Sequence, residues 1–231
     1  MAERAKNPLR EPVPARVPLP NAPLIRVIAQ VRFEAKPEIN ADAGVAAFRT
    51  AILGNYPIEQ HEQQLNVVML PNQPIPFQNI TKTYRFSTPD RGWRVVLTHD
   101  TLAIETATYT NRDDFLHRIE ALLAVASAAF ESLGVTRFGM RYIDRLVGAE
   151  FSRLPELVYP DVGGLAVGDL STDLAAVTTE AMLSLAELNA LLRLRWALVP
   201  AGLSYDPAAI PPVPEPRSVS EYSDSLLAPS G

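Results

Sequence analysis

The chain contains no cysteine and only three histidines. The first absence excludes disulfides, thiolate metal sites and a cysteine nucleophile outright. The second leaves few imidazoles for a metal centre or a general base. No window approaches about 18 consecutive apolar residues, so no membrane-spanning helix is expected. The opening MAERAKNPLREPVPARVPLP lacks the apolar stretch of a secretory signal. These absences together lead to the expectation of a cytoplasmic protein. Catalytic signatures are missing too: no G-x-S-x-G elbow, no G-x-x-x-x-G-K-[ST] loop, and no G-x-G-x-x-G behind a strand. Positive charge is in deficit, with 21 Lys and Arg against 26 Asp and Glu and a net charge of −5. That balance weighs against a nucleic-acid partner.

What is present is an ordinary globular composition, 47% hydrophobic and 20% charged in 231 residues. Such a chain can bury one sizeable core or two small ones. Proline gathers at the two ends, from Pro8 to Pro23 and from Pro200 to Pro229. Proline removes backbone donors and turns its predecessor away from helix. We therefore expect a proline-rich arm at 1–20, a first α+β module at 21–147, a second and incomplete α+β module at 148–216, and a disordered tail at 217–231.

Within the first module, LIRVIAQVRFE alternates. Ile25, Val27, Ala29, Val31 and Phe33 share one face, and Arg26, Ile28, Gln30, Arg32 and Glu34 share the other, which predicts a strand. NADAGVAAFRTAILG predicts a helix capped by Asn40 and ended near Gly54, with Val45, Phe48 and Ile52 inward. LNVVML reads as a short strand. TYRFSTPDRGWRVVLTHDTLAIETATYT reads as a three-stranded meander turning at STPDRG and THDT. NRDDFLHRIEALLAVASAAFESLG predicts a long helix capped by Asn111 and closed by Gly134, burying Phe115, Ile119, Leu122, Ala126, Phe130 and Leu133. Its outer face carries Asp113, His117 and Glu120, a spacing that reads as a solvated face and not as a metal site. His99 and Asp100 fall in a turn, where they supply turn chemistry. In the second module, DVGGLAVGDL reads as a flexible loop and LLRLRWALV as a strand. The stretch 172–188 fits a helix and a strand equally, because Leu174, Val177, Ala181 and Leu185 satisfy one period and Val177, Thr179, Ala181, Leu183 and Leu185 the other.

The segment VTRFGMRYIDRL, residues 135–146, holds the most suggestive pattern. Arg137, Arg141 and Arg145 recur at every fourth position. A helix has just ended, and Phe138, Met140 and Tyr142 alternate, so a strand is expected with the arginines lined along its other face, about 13 Å apart. Glu105 and Glu34 are the carboxylates expected to face them across strands. Two readings stay open. In one the arginines are fully paired and structural. In the other a concave basic surface, Arg137, Arg141 and Arg145 with Glu105, receives an anionic ligand or an acidic partner.

NAPLIRVIAQVRFE, GWRVVLTHDTLAIETATYTNRDDFLHRIEALL and VTRFGMRYIDRLV, in this order and spacing, resemble a sporadically distributed family of uncharacterised prokaryotic proteins of about 250 residues, the size of one or two modules. The family's Arg-x-Gly-x-Arg-Tyr-x-Asn-Arg-like strand falls on Arg137, Gly139, Arg141, Tyr142 and Arg145, with Asp144 where the family has Asn. The resemblance covers roughly residues 21–216 and implies a fold but no activity. It also implies a strand and a long helix after GLSYDPAAIPPVPEP, where this chain has RSVSEYSDSLLAPSG. A shortened C-terminus is therefore expected, with an exposed strand edge at 191–199. The expected architecture is α+β: an antiparallel sheet with helices packed on one side, in two related modules. The expected role is a non-enzymatic binding or interaction protein that regulates or neutralises a protein partner, without catalytic residues, metal or cofactor. A domain binding a small anionic ligand and an enzyme of unrecognised type are the alternatives.

Overall fold

A computed structural model describes residues 22–68 and 77–199. The expected arm at 1–20 and tail at 217–231 lie outside the described residues. The chain is an α+β fold whose main element is a six-stranded antiparallel sheet. Its strands are β1 (Leu24–Phe33), β2 (Ile58–Val68), β3 (Phe77–Ser87), β4 (Trp93–Thr98), β5 (Thr101–Thr106) and β6 (Val135–Asp144). The spatial order is β2-β3-β4-β5-β1-β6, so the first strand is inserted between β5 and β6. The meander is present as β3, β4 and β5. Leu65–Val68 of LNVVML prove to end a longer strand that pairs with β3 along its whole length, while residues 69–70 lie outside the described residues.

Register sorts the side chains into two faces. One row runs Phe86, Val95, Ile104, Ala29, Met140, and the next runs Tyr84, Leu97, Leu102, Val31, Phe138. Residues paired directly across an antiparallel ladder share a face, so these rows form one apolar surface. Helices α1 (Asp42–Ile52) and α2 (Arg112–Ala129) cover it. Val45, Phe48 and Ile52 of α1 and Phe115, Ile119, Leu122 and Ala126 of α2 are buried there in a single core. Phe48 is its hub, stacked on Phe130 at 5.7 Å and edge-on to Phe86 at 6.0 Å. Both helices thus lie on one side, and the other face of the sheet carries Arg26, Arg32, Arg94 and Glu105.

The helix ends depart from expectation in two places. Asn40 does not cap α1: it closes a 3-10 turn, Pro37–Asn40, and its Oδ1 accepts from the Lys82 backbone N–H at 3.1 Å. The helix starts after Ala41 with no side-chain cap. Asn111 does cap α2, its Oδ1 accepting from the Asp114 N–H at 2.9 Å. Gly134, however, is not the closing residue. Glu131 and Ser132 take the positive φ values of 48° and 72° past the helix end, a conformation that favours glycine. Gly134 answers a different need. A Cβ there would lie 2.7 Å from the Glu34 carboxyl carbon, and the Glu34 N–H donates to its carbonyl at 2.9 Å.

After β6 the order changes. Three one-turn helices follow, α3 (Ala149–Ser152), α4 (Leu154–Leu157) and α5 (Pro160–Gly163). The last of these overlaps the start of the stretch read as a flexible glycine loop. Then β7 (Val177–Leu185) and β8 (Ala190–Leu198) form a separate two-stranded sheet, which settles 172–188 largely as strand. Its turn uses Asn189 in the left-handed region. Among the described residues β8 pairs with β7 alone, so its other edge is open. No helix among the described residues is long and apolar enough to cross a membrane.

Candidate functional site

The open face of the main sheet is where the sequence placed its candidates. Glu105 sits at the end of β5 and receives two guanidinium groups. Arg26 meets its Oε2 at 2.7 Å and Arg94 its Oε1 at 3.0 Å. All three are well buried, with side-chain exposures of 5%, 12% and 14% for Arg26, Arg94 and Glu105. Each carboxylate oxygen thus holds one cation, which is how a carboxylate survives burial. The register explains one half of the triad: the turn at His99 and Asp100 sets Thr98 opposite Thr101, and counting outward puts Arg94 opposite Glu105. Arg26 comes diagonally from β1.

The arginines of β6 are elsewhere. β1 separates β6 from β5, and Ile28 lies between Glu105 and Arg141 in the same row. Glu105 therefore neutralises Arg26 and Arg94, and the predicted grouping of Glu105 with Arg137, Arg141 and Arg145 is not assembled. The reason is topological: insertion of β1 puts one strand width between the carboxylate and the basic strand. Arg137 and Arg141 do share the open face of β6, and both are exposed. Arg145 lies beyond the end of β6, where its N–H donates to the Pro23 carbonyl at 2.8 Å. Glu34 packs its side chain against Gly134, off the arginine line.

Arg137 faces Arg32 directly across the β1–β6 ladder. Like charges in that position repel. Arg32 finds Asp100 only at 3.9 Å, and Arg137 has no ion pair within the described residues. Between the two β6 arginines stands Gly139, over which a Cβ would meet nothing within 4 Å. The face is therefore an open trough with a cationic wall at each end.

The other face of β6 lies in core-facing rows but is only partly buried. Phe138 and Tyr142 stand in rows with Val31 and Val27, yet they are 52% and 48% exposed. β6 is an edge strand of the sheet, and none of its residues is fully buried. Met140 alone packs on the core. Tyr142 meets Tyr109 edge-on at 6.3 Å, and burial with Tyr142 beside it pushes the Tyr109 hydroxyl up. The strand's outer backbone edge is unpaired among the described residues.

Other candidates contribute no site. Beneath α2 the described residues leave an apolar cleft of about 10 Å³ between Val31, Leu102, Ile119 and Leu123. A small-ligand pocket needs about 300 Å³ or more. Asp113, His117 and Glu120 are exposed on the outer face of α2, and no group of described residues is arranged to hold a metal ion. At the THDT turn, Asp100 accepts from the Thr98 and Thr101 hydroxyls at 2.9 and 3.0 Å, the turn role expected of it. The feature missed by sequence reasoning is the exposed β6 edge itself, since strand order is not encoded in local period. No family model and no curated protein matches the chain.

Proposed function

We propose that this protein is a non-enzymatic interaction module that accepts a strand of a protein partner on the outer edge of β6. The observation that carries the reading is the half-exposure of Phe138 and Tyr142 on an otherwise core-facing row of an open edge strand. An unpaired edge offers a row of backbone donors and acceptors, and natural folds usually blunt such edges. An adjoining apolar surface gives an added strand side-chain burial as well as backbone hydrogen bonds. Catalysis finds less support. Glu105, the well-buried carboxylate of the open face, already serves two guanidinium groups and has no spare role as a base. The small-ligand alternative finds less support still, given a cleft of about 10 Å³.

The test is affinity capture from the native host with the wild-type chain and with Phe138→Lys/Tyr142→Lys as control. A stoichiometric protein retained by the wild type and lost by the variant, with slowed amide exchange across 135–144 in the complex, is expected. Equal capture by both chains sinks the reading.

A further inference from the structure

We infer that the strand received by β6 alternates acidic and apolar side chains, with its carboxylates on the arginine face. This rests on the reading of β6 as a docking edge and specifies the chemistry of the occupant. The fold contains its own precedent. β1 is flanked on its far side by β5, which sends Leu102 and Ile104 to the core face and Glu105 to the open face between two arginines. β6 offers a similar pair of surfaces on its free side. Its core face presents Phe138, Met140 and Tyr142, which want apolar neighbours. Its open face presents Arg137, doubled by Arg32 directly opposite, and Arg141 four residues on.

A carboxylate opposite Gly139 has room to lie over the strand and reach Arg137, because no atom approaches that position. A strand beside β6 places every second side chain on this face, about 6.6 Å apart. Two or three carboxylates in alternation therefore span from Arg137 to Arg141. The one beside Arg137 meets its exposed guanidinium, and the Arg32–Arg137 repulsion is relieved.

A second copy of this chain fits less well. The open-face residues of β6 are Arg137, Gly139, Arg141 and Ile143, none of them acidic. Pairing β6 with itself sets four arginines on adjacent strands with no carboxylate between them. Charge complementarity thus selects a heterologous acidic strand over self-association.

The experiment uses the full chain and two labelled ten-residue peptides, one alternating Glu with Val and one alternating Lys with Val, read by fluorescence anisotropy. The Glu peptide is expected to bind at least about tenfold tighter, with affinity falling as salt rises. Arg137→Glu, an exposed substitution checked for fold by circular dichroism, is expected to reverse the preference. Equal affinity for the two peptides, both lost in Phe138→Lys/Tyr142→Lys, overturns the charge rule while leaving the docking edge standing. Binding of neither peptide overturns the proposal, and only if host capture by the two chains is also equal does the docking edge fall with it. A wild-type chain that sediments as a dimer through β6 and excludes both peptides overturns it in favour of self-pairing.

Discussion

The six-stranded region and the β7–β8 region are made of similar strands yet are held together differently. In the first, each strand but β2 and β6 has two neighbours, and two helices seal one face. Val27, Phe48, Tyr84, Phe86 and Val95 are fully enclosed. In the second, no strand residue joins that core, and Leu188 and Leu191 are 73% and 66% exposed. Its ion pairs, Glu180 to Arg193 at 2.7 Å and to Arg195 at 3.3 Å, lie on the surface. Surface pairs contribute about 0–1 kcal/mol each, and an isolated two-stranded hairpin is marginal in water. Stability here follows the third dimension: strands become a folding unit where helices close over them.

The contrast is broken most severely at its hub. Phe48→Ala empties a site shared by α1, α2 and β3, and is expected to cost about 3–5 kcal/mol in urea unfolding. Next comes Glu105→Gln, which leaves Arg26 and Arg94 buried without their counter-ion. A loss of about 3 kcal/mol is expected. A loss under 1 kcal/mol from Glu105→Gln means that water reaches both guanidinium groups and the triad is not sealed.

The third test is a pH profile of the sealed region. Tyr84 donates its hydroxyl to Asp42 Oδ1 at 3.0 Å. Burial, and the Asp42 carboxylate beside it, push its hydroxyl from 10.0 up to about 12. The folded state thus keeps a proton that the unfolded chain releases above pH 10. Stability is full below that point and falls as pH rises toward about 12, by up to about 2.5 kcal/mol. Tyr84→Phe should flatten this alkaline slope in pH-dependent unfolding, and an unchanged slope refutes the assignment. Asp42 is shifted the opposite way, held below its ordinary range by the Tyr84 hydroxyl and Lys82. Its contribution is present at neutral pH and lost on acidification through its folded pKa.

Elements with a strong local period were legible from sequence. β1 showed its faces through Val27, Ala29 and Val31, and α2 through Asn111 and the Phe115-to-Ala126 stripe. The Arg94–Glu105 pairing is legible too, since a two-residue turn at His99 and Asp100 dictates it. What was hidden is non-local. Insertion of β1 between β5 and β6 leaves no mark on any short segment, and it alone decides that Glu105 serves Arg26 and not Arg141. The same insertion makes β6 an edge, turning Phe138 and Tyr142 from core residues into half-exposed ones. β7 was ambiguous because Val177, Ala181 and Leu185 fit both periods, and without a covering layer neither face is marked by burial. Gly134 misled because glycine after a helix suggests a cap, whereas here close approach of Glu34 accounts for it.

The smallest expected effect is the sharpest probe of the comparison. Leu191→Ser replaces a large apolar residue near the start of the chain's last described strand, a change that in a core strand costs several kcal/mol. At 66% exposure Leu191 has little burial to lose. Its cross-strand partner is Ser184, so no apolar pair is broken. The unfolding free energy of the six-stranded region should therefore move by no more than about 0.5 kcal/mol. The serine should also lower the apolar area on the open β8 edge and reduce aggregation on heating, read by light scattering. A loss above about 1 kcal/mol means that Leu191 is covered in solution by apolar surface, and that the two regions unfold as one.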